Sequence, residues 1–225
     1  MGIPLVMVCT KANSPAPRAG RPLVLTPHER RARILACAET LFIELGYENT
    51  SMVRIAQCAG MSKRTLYEAF PDKREIFTAV VNFRDGVPDL PSIADEDDPR
   101  RILCDTLTFI AHFILEPRRI ALARLAIAEA RSLPDVTHDF FENAYDVMTD
   151  LVAGRLELLI GRKQISITGT PHSVADLLLG ATLGDALVRY LGFPDKAAEL
   201  QREETARRAA AAVAMMAGGL GLRDT

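Results

Sequence analysis

The sequence predicts an all-α chain of about nine helices arranged in two units. Three observations carry this. Apolar residues recur at helical spacing in stretch after stretch. Helix start signals, Thr or Asp followed by Pro or by Glu three residues on, open many of those stretches. Alanine and leucine dominate the second half of the 225 residues, Trp is absent, and neither the 14 Gly nor the 13 Pro are in excess.

Residues 1–25 read as a basic arm. Pro15, Pro17 and Pro22 interrupt regular structure, and Lys11, Arg18 and Arg21 carry charge with no acid among them. Such an arm suits a nucleic-acid groove; a disordered leader, or a true start at Met7, fits the same residues. The opening apolar run, Met1 to Cys9, is short and lacks a basic leading region, so it makes a poor signal peptide.

The first helix opens on a capping box, with Thr26 as N-cap, Pro27 at the first helical position and Glu29 three residues on. Ile34, Ala38, Leu41, Phe42 and Leu45 form its inward stripe, and Gly46 ends it. Arg30, Arg31 and Arg33 stand near its start, where the helix dipole disfavours cations. That placement points to an outside polyanion or to plain solvated charge.

Thr50 to Phe70 organises the rest. Thr50 or Ser51 caps a short helix whose apolar face is Ile55, Ala56 and Ala59. Gly60 ends it, because a left-handed turn costs glycine no Cβ clash. Ser62 caps a second helix anchored by Leu66 and Phe70. A small residue at the crossing, a turn glycine and an apolar anchor are the spacing of a helix-turn-helix; any two-helix corner has similar needs. The second helix turns Lys63, Arg64, Thr65 and Tyr67 outward, donors suited to phosphates and base edges. Asp72 and Glu75 cap a fourth helix through Ile76, Phe77, Val80 and Val81, ending near Arg84 to Gly86. Lys73 sits at its start, where free N–H groups and an ammonium would both welcome phosphate.

Residues 87–99, with three prolines and the acidic run Asp95 to Asp98, read as a linker between a unit at 26–86 and a second at 100–225. Five helices follow, over about 100–115, 117–132, 135–160, 170–191 and 194–217, with a loop at 161–169 containing the β-prone Ile165-Ser166-Ile167. The charge divides along the same boundary. Residues 1–86 carry 12 Lys+Arg against 8 Asp+Glu, and residues 87–225 carry 15 against 21. A basic head on an acidic body fits a chain that meets phosphate with one end.

Four cysteines, Cys9, Cys37, Cys58 and Cys104, show no metal-ligand or disulfide spacing, as expected of reduced thiols in a cytoplasmic protein. Cys58 is either redox-responsive or a small buried thiol. No apolar run reaches the length of a membrane span. His112, His138 and His172 fall in no catalytic or metal-binding motif, so neither an enzyme nor a metal or other cofactor is expected.

The helix-turn-helix residues and their flanks closely resemble the N-terminal DNA-binding domain of the TetR family of bacterial transcriptional regulators. The residues that carry this are Thr26-Pro27-His28-Glu29, Leu41-Phe42, Leu45-Gly46-Tyr47, Ser62 to Tyr67 and Phe70-Pro71-Asp72-Lys73. The match covers about residues 26 to 84. It implies a homodimeric regulator, most often a repressor, on a near-palindromic operator. The expected DNA contacts are Arg54, Ser62, Lys63, Arg64, Thr65, Tyr67 and Lys73. It also implies a small hydrophobic or amphipathic effector in the second unit, for which Phe109, His112, Phe113, Phe141, Tyr145 and Met148 are the candidates. They could equally fill the core. The last two helices, apolar around most of their circumference, are expected to pair with a second copy. A regulator without an inducer, and an all-helical carrier or enzyme, are the competing readings.

Overall fold

The computed structural model describes residues 25–82, 86–87, 89–94, 97–193 and 201–220. Among them lie ten helices and no strand: α1 Pro27–Leu45, α2 Met52–Ala59, α3 Lys63–Ala69, α4 Lys73–Val80, α5 Pro99–Ile114, α6 Pro117–Ala128, α7 Pro134–Gly161, α8 Pro171–Leu183, α9 Ala186–Gly192 and α10 Gln201–Met215. All but Leu25 of the basic arm, and the Pro194-Asp195 start expected for the last helix, lie outside the described residues.

The caps fall where the sequence puts them. Thr26 and Glu29 close the box at α1, Ser51 accepts from the Arg54 N–H at α2, Ser62 from Thr65 at α3, and Asp72 from Glu75 at α4. Thr50 is not a cap. It is buried, and its hydroxyl lies 2.8 Å from the Gly46 carbonyl and 3.2 Å from that of Leu41, closing the α1–α2 turn.

α1 to α4 enclose one end of the core. Phe42, Tyr47 and Phe77 meet edge-on or tilted, with centroids 4.9–5.7 Å apart. Such pairs add about 0.5–1.5 kcal/mol each beyond the area they bury. Ile34, Ala38, Ile55, Leu66, Phe70 and Ile76 complete this end, each fully enclosed. In the body, α5 is central and packs against α6, α7, α8 and α10. α7, 28 residues and so about 42 Å long, runs beside α8.

Three expectations are corrected. α4 stops at Val80, with the Val81 N–H donating to Phe77 and ψ turning to 2°, rather than reaching Arg84 to Gly86. The β-prone piece at 165–167 forms no strand; Ile165 is buried, and the Ser166 N–H donates to the Leu220 carbonyl. The single helix expected from Thr170 to Leu191 breaks into α8 and α9 at Gly184, whose φ of 49° is a left-handed value. The Arg208 guanidinium from α10 fills the space a Cβ would need there, and Arg208 also pairs with Asp185 at 2.7 Å. This break accounts for the tenth helix.

The segment between α4 and α5 is strapped to the body by guanidinium groups. Arg119 donates to the Gly86 carbonyl, Arg155 to that of Pro91 at 2.8 Å, and Arg162 to that of Ala94. Arg119 and Arg155 are 7% and 8% exposed, and burial lowers the pKa of both. They supply the donors that loop carbonyls would otherwise take from water.

Candidate nucleic-acid interface

α2 and α3 form a helix-turn-helix. Gly60 takes the left-handed values φ 65°, ψ 34°, and its N–H satisfies carbonyls at the end of α2. Leu66 and Phe70, both fully buried, fix the inner side of α3, which leaves Lys63, Arg64, Tyr67 and Glu68 on its outer side. Tyr67 is 52% exposed, a large aromatic on that outer side. Thr65 is half-buried, and its hydroxyl lies 2.9 Å from that of Ser62 at the helix start. Arg64 is outward but pairs with Glu68 at 2.9 Å along the same helix.

Two expected contacts already have partners within the chain. The Arg54 guanidinium reaches the Asn49 carbonyl at 3.5 Å, a long bond that constrains it little. Lys73 donates to the Tyr47 carbonyl at 2.7 Å and sits 4.0 Å above the Tyr47 ring. An ammonium has three donors, so this anchors the start of α4 and leaves others for a phosphate.

The arginines near the start of α1 have an internal use that sequence reasoning missed. Arg31 donates to the Ala69 carbonyl at 3.4 Å, and its guanidinium lies 4.0 Å over the Phe70 ring, at the C-terminal end of α3. An Arg33 nitrogen stands 3.5 Å from where a Cβ on Gly60 would be. Through Arg31, α1 therefore holds the C-terminal end of α3 by contacts between residues far apart in sequence.

The six effector candidates do not share one set of surroundings. His112 bonds the Thr205 hydroxyl at 2.9 Å, tying α5 to α10. Phe113 lies under the Arg119 guanidinium. Met148 is buried and Phe109 half-buried, whereas Phe141 and Tyr145 are 37% and 54% exposed on the outer side of α7. Tyr145 lines a shallow polar cleft of about 220 Å³ with Asp150, His172 and Asp176. A hydrogen bond to the Asp176 carboxylate raises its phenol pKa. An apolar cleft of about 400 Å³ opens elsewhere, between α1, α6 and α9. Among the described residues no cluster of three or more His, Cys, Asp or Glu could hold a metal ion, and no helix is long and apolar enough to cross a membrane.

Comparison with known families decides the identity. Residues 34–80 match the model described as bacterial regulatory proteins of the TetR family, and residues 101–219 match that of the AefR-like transcriptional repressor C-terminal domain. The chain belongs to the TetR family. It is a DNA-binding transcriptional regulator with the family's N-terminal helix-turn-helix and C-terminal helical domain. One relative is the HTH-type transcriptional repressor Rv1474c of Mycobacterium tuberculosis, 27% identical over 168 residues, which are 74% of this chain and 84% of that one. Another is the HTH-type transcriptional activator FasR of Mycolicibacterium smegmatis, 42% identical over 53 residues, only 24% of each chain. Among solved structures, a TetR-family regulator of Mesorhizobium loti superposes with a TM-score of 0.67 at 24% identity, covering 87% of this chain and 98% of that one. The flavonoid-responsive regulator FrrA gives 0.68 at 22%, covering 85% and 96%.

Proposed function

We propose that this TetR-family chain is a cytoplasmic, homodimeric repressor that holds a near-palindromic operator through two copies of α3 and leaves it when a small apolar molecule binds. The observation that carries this is the exposed row Lys63, Arg64 and Tyr67 on a helix whose opposite side is fully buried. A helix anchored in this way turns its donors to one side, as a helix lying in a major groove does. Lys63 and Tyr67 are assigned the main groove and phosphate contacts, Arg64 and Thr65 a share in base reading, Ser62 the start of the helix, and Lys73 and Arg54 phosphate. The DNA-binding unit spans 26–86, the segment 87–99 links it to the rest, and 100–225 carries effector binding and pairing.

The pairing surface is assigned to α8 and α10. The chain itself buries Val174, Ala175, Leu178 and Leu179, while Leu177 and Met215 stay 60% and 87% exposed. Among the described residues nothing lies within 4 Å of a Cβ built on Gly180, which leaves room for a second helix to approach closely. Family members act on DNA as dimers, and two helices from each of two chains make a four-helix bundle. Repression follows the relative named as a repressor, which spans most of both chains. Small-molecule control draws on the structural relatives described as flavonoid-responsive and as a triclosan complex.

The test is selection from a random duplex pool, followed by titration of the winners at two salt concentrations beside the double variant Lys63→Ala/Tyr67→Ala. The expected result is a palindromic consensus, bound in a strongly salt-dependent way and lost in the variant. A folded dimer that enriches no sequence would overturn the assignment.

A further inference from the structure

The apolar cleft of about 400 Å³ lies where the DNA-binding helices meet the body. Ile43 of α1 and Gly46 just past its end form one wall, Ile120, Ala121 and Leu125 of α6 a second, and Tyr190 of α9 the third. This volume falls in the range of small-ligand sites. Ile43 is 43% exposed at one wall, against 3% for Ile120 at the other. The charged side chain at the cleft, Arg124, donates to the Leu191 carbonyl at 2.8 Å and so ties α6 to the end of α9. Burial pushes the Tyr190 phenol upward, as expected of a poorly hydrated wall.

We propose that this α1/α6/α9 cleft is a binding site for a neutral, largely apolar small molecule, and that its occupant couples to DNA binding because its walls belong to both the DNA-binding helices and the body. The consequence for DNA rests on the repressor reading above; the binding itself does not. A charged ligand would lose hydration against apolar walls, and the guanidinium at the cleft, Arg124, is exposed and already engaged with the Leu191 carbonyl. An occupant that touches α1 on one side and α6 on the other binds each relative placement of those helices with its own affinity, which is the requirement for coupling.

The test uses the full chain and a matched pair of fluorophores. N-phenyl-1-naphthylamine is neutral, and 8-anilinonaphthalene-1-sulfonate is the same framework with a sulfonate. The neutral probe should bind saturably, one per chain, and about tenfold or more tighter than the sulfonate. Ala121→Trp, which fills the cleft from the α6 side, should weaken the neutral probe by about tenfold or more while circular dichroism and melting stay near wild type. Ala128→Phe fills the cleft's other end and serves if the first variant does not fold. At saturation the neutral probe should change affinity for the selected duplex by roughly fivefold or more, and Ala121→Trp should abolish that change. No saturable binding, tighter binding of the sulfonate, or wild-type binding in the folded variants would overturn the site. Saturable binding with unchanged DNA affinity would overturn the coupling. Failure to enrich any duplex would count against the repressor reading, with the site judged on probe binding alone.

Discussion

Glu39 of α1 and Arg118 of α6 face each other in a two-pronged ion pair, with guanidinium Nε and Nη2 each 2.6 Å from one carboxylate oxygen. This pair joins the DNA-binding helices to the body. Glu39 is only 17% exposed, and its hydrogen bond raises the pKa of Arg118. A smaller cleft of about 200 Å³ opens beside it, with Glu39 and Arg118 in its lining. A second ion pair, Arg74 with Asp135, links α4 to the start of α7.

The Glu39–Arg118 pair should show measurable coupling. Exposed pairs give about 0.2–1 kcal/mol, and the two-pronged geometry with one sheltered partner places this one near the upper end. A double-mutant cycle with Glu39→Gln and Arg118→Gln, read by urea unfolding, should return about 1 kcal/mol at low salt and less at high salt. A coupling energy of zero at both salts would mean that the pair is incidental.

Thr50 makes a sharper stability prediction. Thr50→Val keeps the shape but removes the hydroxyl from the Leu41 and Gly46 carbonyls inside a closed turn. The cost should be about 1–3 kcal/mol in denaturant unfolding. Thr50→Ser, which retains the hydroxyl, should cost clearly less.

Cys37 sets a pH dependence. Burial, and then its hydrogen bond with the Cys58 thiol, push the Cys37 thiol up to about 11. An acid whose folded pKa lies above its unfolded value of about 8.5 binds its proton more tightly when folded. Its contribution is therefore complete below pH 8.5 and is lost as pH rises toward 11. Stability should fall across that window, and Cys37→Ala should flatten the fall. Cys58 is exposed rather than a buried thiol, so alkylating reagents should reach it before Cys37.

Local signals carried most of the DNA-binding end. Thr26, Ser51, Ser62, Asp72 and Gly60 act through residues within about one helical turn, so spacing alone reveals them. Contacts across long separations were hidden. Arg31 looked like a free cation, although its partners lie 38 residues on at the end of α3. Gly184 carries no local mark of a break, because the break depends on Arg208 arriving from α10. The effector candidates were chosen by aromatic content on α5 and α7. The helical spacing of Phe141 and Tyr145 could not show that this side of α7 stays largely open, with Phe141 37% and Tyr145 54% exposed. The α1/α6/α9 cleft left no mark in any single helix, since each wall taken alone is an ordinary apolar stripe.

Glu68 offers a gain of function. It sits one turn beyond Arg64, both side chains are exposed, and their ion pair spans 2.9 Å. A phosphate approaching Arg64 must displace that carboxylate or bind next to it, and either route carries an electrostatic cost. Glu68→Gln removes the negative charge and keeps the side-chain shape. Affinity for the selected duplex should rise by about two- to tenfold at low salt, and the gain should shrink as salt screens it. Fluorescence anisotropy at two salt concentrations reads this directly. The comparison Arg64→Ala/Glu68→Gln against Arg64→Ala separates two causes. If Glu68 acts by occupying Arg64, the gain should mostly vanish once Arg64 is gone. An undiminished gain would mean that Glu68 acts through its charge alone and that Arg64 is not held back by it.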